Sequence, residues 1–113
     1  MMGHLQVPGL STRGLPASLD PALYRVLRTE IGFGGLVLTD ELASMRAIRD
    51  RFGLHEAVRR ALAAGADLAL FLARPEAAAP LVDRLVADVR SGRLPEARAR
   101  AAAGRVLAAK GCP

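Results

Sequence analysis

The chain has almost none of the residues that build disulfides, metal clusters or aromatic platforms. Of its 113 residues one is cysteine, two are histidine and none is tryptophan. A lone thiol, Cys112, excludes an intrachain disulfide and a cysteine-rich metal site. His4 and His55 lie far apart and form no HExxH-type spacing, so no metal or other cofactor is expected. Aromatic residues make up only 4%, too few for the stacked side chains on which single-stranded nucleic acid is read. The core must therefore be built from Leu, Val and Ala. No stretch approaches 18 uninterrupted apolar residues, so no membrane-spanning helix is expected. Residues 1–20 show no charged-then-apolar leader pattern. Compartment stays open, because the lack of disulfides suits cytoplasm and cell surface alike.

What is present is globular in character: 51% hydrophobic and 24% charged, outside the disordered range. Fifteen arginines and one lysine face eleven acids, for a net charge of +5. The arginines are spread along helix-like segments and are not gathered in a block, so nucleic acid is not an expected partner. Their excess over lysine, with abundant Ala and Gly, fits a GC-rich coding sequence. The length suits one ordinary domain and falls well short of the roughly 250 residues of a (β/α)8 barrel.

Strand and helix patterns alternate. Residues 1–5 read as the tail of a strand, followed by a loop over 6–17 punctuated by Pro8, Gly9, Gly14 and Pro16. Asp20-Pro21 supplies an N-cap and a first-turn proline. Leu23, Leu27 and Ile31 continue as an i, i+4 stripe until Gly32. Residues 36–39 form a short strand, apolar on both faces as in a helix-covered parallel sheet. A helix is predicted over 54–64, closed by Gly65, then a buried strand over 67–71. Pro75 opens a helix reaching about residue 90, and Pro95 opens an Ala-rich helix to about 110, closed by Gly111. This order predicts parallel α/β units with right-handed crossovers and no linker dividing two domains.

The stretch Gly32-Phe33-Gly34-Gly35-Leu36-Val37-Leu38-Thr39-Asp40-Glu41-Leu42-Ala43-Ser44-Met45 carries the most information. An apolar strand ends abruptly in a carboxylate, the place where α/β folds gather catalytic groups. Strand parity puts Leu36, Leu38 and Asp40 on one face, with Val37 and Thr39 on the other. Two readings of Asp40 follow from spacing: a cap for the next helix, which is common for Asp after a strand, or a catalytic carboxylate. Glu41 diverges from its neighbour and reads as a rim or helix-start charge. His4, at the presumed end of a strand, is either a hydrogen-bonded structural imidazole or a ligand contact. His55 reads as solvated surface beside Glu56. Asp67 begins a strand, at the end where such residues serve stability.

The Gly32–Met45 stretch resembles the nucleophile strand of glycoside hydrolase family 3, in its β-N-acetylglucosaminidase branch, where a G-F-x-G-x-V-x-(S/T)-D-x-L-x-M pattern places the nucleophile at the position of Asp40. Residues 1–8, Met-Met-Gly-His-Leu-Gln-Val-Pro, resemble that family's sixth barrel strand and loop. Gly65-Ala66-Asp67-Leu68-Ala69-Leu70 resembles the eighth strand, and Ser91-Gly92-Arg93-Leu94 with Arg105-Val106-Leu107-Ala108 resembles the closing helices. The resemblance implies an α/β fold made of the last three β/α units of a truncated (β/α)8 TIM barrel. Residues 1–113 would be the carboxy-terminal portion of the amino-terminal catalytic domain. It implies Asp40 as catalytic nucleophile, with His4 near the sugar pocket. Met45 matches the motif's methionine and would either line the pocket or pack in the core. Leu42 favours the acetylglucosaminidase branch, because the β-glucosidase motif tends to place Trp directly after the nucleophile.

Two of the family's features have no counterpart here: the K-H-F-P-G-H-G segment that helps hold the sugar, and the flexible loop whose Asp–His pair acts as acid/base. Losing general-acid transfer alone costs about 10²–10⁴ in rate. The expectation is therefore a fragment of an exo-acting, retaining β-N-acetylhexosaminidase for cell-wall-type or chitin-type amino sugars, inactive by itself, whose natural partners are the carbohydrate substrate and the missing upstream barrel strands. The competing expectation is a stand-alone α/β module that binds a partner or completes a barrel, with Asp40 idle.

Overall fold

A computed structural model describes residues 1–12 and 14–112. Three extended segments, residues 1–5, 36–40 and 67–71, run parallel with the second in the middle: Met2 pairs with Thr39, and Leu38 with Leu68. The sequence predicts strands here, but among the described residues the pairings are isolated bridges and no strand-length ladder forms. The reason lies in side chains that take the place of ladder carbonyls. The Val37 N–H donates to the Asp67 carboxylate at 3.0 Å. That of Leu70 donates to the Thr39 hydroxyl at 3.0 Å, and that of Leu72 to the Glu41 carboxylate at 2.8 Å. Backbone bonds fill the gaps, among them Met2 N–H to Leu38 C=O at 2.8 Å, Asp40 N–H to Met2 C=O at 2.8 Å and Thr39 N–H to Leu68 C=O at 3.0 Å.

Helices cover one side of this array. Helix α1 (Pro21–Arg25) starts as the sequence predicts: the Asp20 carboxylate accepts the Ala22 N–H at 2.9 Å, and Pro21 occupies the first turn. Asp20 also accepts the Thr12 hydroxyl at 2.9 Å, which ties the preceding loop to the helix. The predicted helix does not continue unchanged to Gly32. It widens into a π-type turn over Val26–Glu30, where the Thr29 hydroxyl donates to the Arg25 carbonyl at 2.8 Å and competes with the regular ladder. Gly32, at φ +74°, ends it. Helix α2 (Arg46–Arg49) is a single turn. Helix α3 (Leu54–Ala64) has the predicted bounds, closed by Gly65. A 3₁₀ turn over Pro75–Ala77 leads into α4 (Ala78–Arg90), and α5 (Glu96–Ala109) completes the chain.

The core lies between the helices and the face of the extended segments that carries Val37 and Thr39, both buried. Tyr24, Ile48, Ala57, Val58, Ala61 and Leu81 fill it, so the aromatic-poor composition is met by small and branched aliphatics. Tyr24 donates its hydroxyl to the Ser18 carbonyl at 3.0 Å. Burial first, and the nearby Asp67 carboxylate second, raise its pKa well above the usual phenol range, so it stays a neutral donor. Gly65 passes so close to this ring that a Cβ there would sit 2.6 Å from the Tyr24 Cβ. The opposite face of the array is open. Leu36 and Leu38 are only partly covered, and Leu68, Leu70 and Leu72 are 43%, 40% and 72% exposed.

Asp67 is a structural carboxylate at the amino end of the third segment, buried and shared by three arginines. Arg28 reaches it at 2.7 Å, Arg105 at 3.0 Å and Arg98 at 3.7 Å. His55, expected as solvated surface, is instead largely covered, and its Nε2 lies 2.6 Å from the fully buried Asp88 of α4. That carboxylate needs a partner to be buried at all, and its other oxygen lies 2.6 Å from Arg93. A contact between α3 and α4 across 33 residues leaves no local pattern, so periodicity could not reveal it.

Candidate functional site

Asp40 ends the central extended segment, flanked on both sides by its neighbours. Parity with the paired residues Leu38 and Leu68 puts it on the open face, above Leu38. Its backbone N–H is fixed by Met2, and its Oδ1 accepts the Glu41 N–H at 2.8 Å. Asp40 makes no ion pair among the described residues, and its side chain is partly exposed. A carboxylate so placed keeps an oxygen free for a ligand. It does not cap α2, whose N-cap position is held by Met45, so the helix-cap reading of Asp40 fails.

Glu41 is not the rim charge that the sequence predicts. It is buried and accepts the Ala43 N–H at 2.7 Å, the Ser44 N–H at 2.7 Å, the Ser44 hydroxyl at 2.5 Å and the Leu72 N–H at 2.8 Å. Burial pushes its pKa up. The Ser44 hydroxyl and the three backbone donors more than reverse that push and hold it at about 2. Glu41 thus remains ionised and clamps the loop after Asp40 to the end of the third segment. The helix-start reading captures part of this, since a side chain that accepts N–H groups two and three residues on acts like an N-cap. The bond to Leu72 has no signal in the sequence.

His4 lies on the other face. Its Nε2 is 2.8 Å from the Glu41 carbonyl, and its Nδ1 is 2.7 Å from the hydroxyl of buried Ser18. A carbonyl only accepts, so Nε2 carries a proton and donates to Glu41, while the Ser18 hydroxyl, which can donate or accept, serves Nδ1. His4 is therefore tied to the residue after Asp40, and the two side chains lie on opposite faces. Sequence reading misses Ser18, which is 14 residues from His4. Met45 is 40% exposed at the start of α2, beyond the Glu41 clamp and outside the core. Next to this region, the loop after the first segment lines a shallow cleft of about 280 Å³ with Val7, Pro8, Ser11 and Thr12. No group of three His, Cys, Asp or Glu among the described residues could hold a metal ion, and no helix among them is long and apolar enough to cross a membrane.

Comparison with known proteins places this arrangement. The model of the glycosyl hydrolase family 3 N terminal domain matches residues 1–109. Beta-hexosaminidase LpqI of Mycobacterium tuberculosis is 48% identical over 116 residues, covering 98% of this chain and 29% of the relative. The chain thus spans less than a third of the length of that curated relative. The solved structure of M. tuberculosis LpqI superposes with a TM-score of 0.87 at 46% identity, over 98% of this chain and 33% of that one. A glycosyl hydrolase of the same family from Mycobacterium smegmatis gives 0.85 at 49% identity, over 94% and 34%. A β-N-acetylglucosaminidase from a Paenibacillus species gives 0.82 at 40% identity, over 92% and 20%. With an α/β layout, a carboxylate at the mouth of its central segment and these likenesses, the chain belongs to glycosyl hydrolase family 3.

Proposed function

We propose that Asp40 is the nucleophile of a retaining exo-β-N-acetylhexosaminidase, and that residues 1–113 form the last three β/α units of its (β/α)8 barrel. The observation that carries this reading is the setting of Asp40: at the carboxyl end of the central segment, on the open face, without an ion-pair partner among the described residues. In such an enzyme one Asp40 oxygen bonds to the anomeric carbon while the bond to the leaving oxygen breaks and that oxygen takes a proton from a general acid. Water then reverses the sequence and releases the sugar with its configuration retained. The carboxylate must be ionised to attack.

The neighbouring residues serve this chemistry in different ways. Glu41 is committed to four hydrogen bonds, which leaves it unsuited to be the acid partner, about 5–5.5 Å away in retaining enzymes. His4 positions the Glu41–Leu42 peptide at the edge of the sugar pocket, and Met45 forms part of its wall. The acid/base comes from the Asp–His loop that the family resemblance implies, so residues 1–113 alone give no useful catalysis. The open face of Leu38, Leu68 and Leu70 supports a barrel interior closed by upstream strands and disfavours a self-contained module. The substrate is a terminal β-linked N-acetylhexosamine of the cell-wall or chitin type, in keeping with relatives named as β-hexosaminidases and β-N-acetylglucosaminidases.

The test is to graft residues 1–113 in place of the matching segment of the M. tuberculosis β-hexosaminidase and to introduce Asp40→Ala. Turnover of an aryl N-acetyl-β-glucosaminide should be abolished while substrate affinity stays within about tenfold, because the nucleophile acts chiefly in the transition state. Turnover within about tenfold of the unmutated graft would refute the assignment.

A further inference from the structure

The arginines around Asp67 outnumber the charge they neutralise. Arg28, Arg98 and Arg105 share that one carboxylate. Arg25 joins them in lining a cleft of about 230 Å³, whose remaining wall includes Tyr24 and Gly65. Four guanidinium groups against one carboxylate leave three uncompensated positive charges in a partly enclosed space. The cleft opens at the amino end of the third segment, the end remote from Asp40, so it is separate from the sugar site. Its walls come from α1 with its π-type extension, α5 and the end of α3.

Several of these arginines are already held in place. Arg28 donates from Nη1 to the Phe33 and Gly35 carbonyls at 2.7 and 2.6 Å and from Nη2 to Asp67. Arg98 donates from Nε to the Leu62 carbonyl at 3.1 Å and from Nη2 to that of Ala66 at 2.8 Å. Arg105 spends only Nη1, on Asp67. Among the described residues, Nε of Arg28, Nη1 of Arg98, Nε and Nη2 of Arg105 and the whole Arg25 guanidinium have no protein acceptor. Donors fixed in this way bind with little further ordering cost. Guanidinium forks match the oxygens of phosphate in pairs, and such charge-assisted bonds are the strong ones. The volume lies below the roughly 300–1,000 Å³ of pockets for drug-sized ligands, which suits a small ion or a single phosphoryl group.

We propose that this cleft binds an oxyanion of the phosphate class. The test titrates inorganic phosphate and, separately, glycerol phosphate into the 113-residue chain at constant ionic strength, read by phosphorus NMR linewidth and calorimetry. Line broadening reports binding even if the chain self-associates. Saturable binding is expected. Uptake of inorganic phosphate alone identifies a free-ion site, and uptake of both identifies a site for a phosphoryl group on a larger molecule. Arg25→Gln is expected to weaken binding about tenfold, the loss of roughly one charge-assisted contact. Arg25 is exposed and makes no side-chain bond among the described residues, so this change should leave the fold intact, checked by circular dichroism. Arg90→Gln, exposed on α4 outside the cleft, should change nothing. Absence of saturation, or equal weakening by Arg25→Gln and Arg90→Gln, would reduce the effect to general charge screening and overturn the proposal.

Discussion

The imidazole of His4 donates from Nε2 to the backbone carbonyl of Glu41 at 2.8 Å, so the Glu41–Leu42 peptide, one residue beyond Asp40, is held by the first segment. The same residue, Glu41, is held from the other side by the Leu72 N–H at 2.8 Å. The first segment and the end of the third thus both hold Glu41, the residue that follows the proposed nucleophile. Asp40 is placed by its neighbours' bonds to Glu41 and by its own backbone, while its Oδ2 makes no bond among the described residues. A catalytic group is most useful when its supports are rigid and its reactive atoms are free.

The isolated chain should self-associate. Its helical side is packed, but Leu68, Leu70 and Leu72 lie exposed on the other face, and the outer edge of the third segment, at Ala69 and Phe71, has no backbone partner among the described residues. Size-exclusion chromatography should show oligomers or aggregates, with no hydrolysis of aryl N-acetyl-β-glucosaminides. A monodisperse monomer with a sharp cooperative thermal transition would identify a self-sufficient domain.

The Glu41 clamp should be visible in the pH dependence of stability. Its folded-state pKa, about 2, lies below the ordinary 4.5, so the folded state favours the ionised form. The resulting stabilisation is fully present above about pH 4.5 and is lost as pH falls toward 2. Glu41→Gln keeps the shape but turns an amide N–H₂ toward groups that are themselves donors. It should cost about 1–3 kcal/mol at pH 7, with the melting temperatures of the grafted enzyme and its Glu41→Gln form converging near pH 2. A gap that stays constant from pH 7 to 2 would show that the carboxylate charge contributes nothing.

Much of this architecture is legible in the sequence because its signals are local. Asp20-Pro21 specifies a cap and a first turn within three residues, and Gly65 stops α3 where the apolar stripe ends. The alternation through residues 36–40 by itself assigns Val37 and Asp40 to opposite faces. Strand ladders are over-read from the apolar runs, since nothing local announces that the Thr39 hydroxyl and the Asp67 and Glu41 carboxylates will take N–H groups from neighbouring segments. Glu41 and His55 are misplaced for the same reason. Their partners Leu72 and Asp88 lie 31 and 33 residues away, and only the fold brings them together. Ser18, inside a 3₁₀ turn, gives no hint of its bond to His4.

Attack of Asp40 on the sugar leaves a covalent intermediate, and trapping that intermediate is its most direct test. The grafted enzyme would be incubated with a fluorinated N-acetylglucosamine analogue bearing a good leaving group, so that the glycosyl-enzyme forms faster than it hydrolyses. It would then be digested and read by tandem mass spectrometry. One sugar per active chain is expected, esterified to Asp40, with no labelling of the Asp40→Ala form. A label on Glu41 or Asp50, or undiminished labelling after Asp40→Ala, would contradict the assignment.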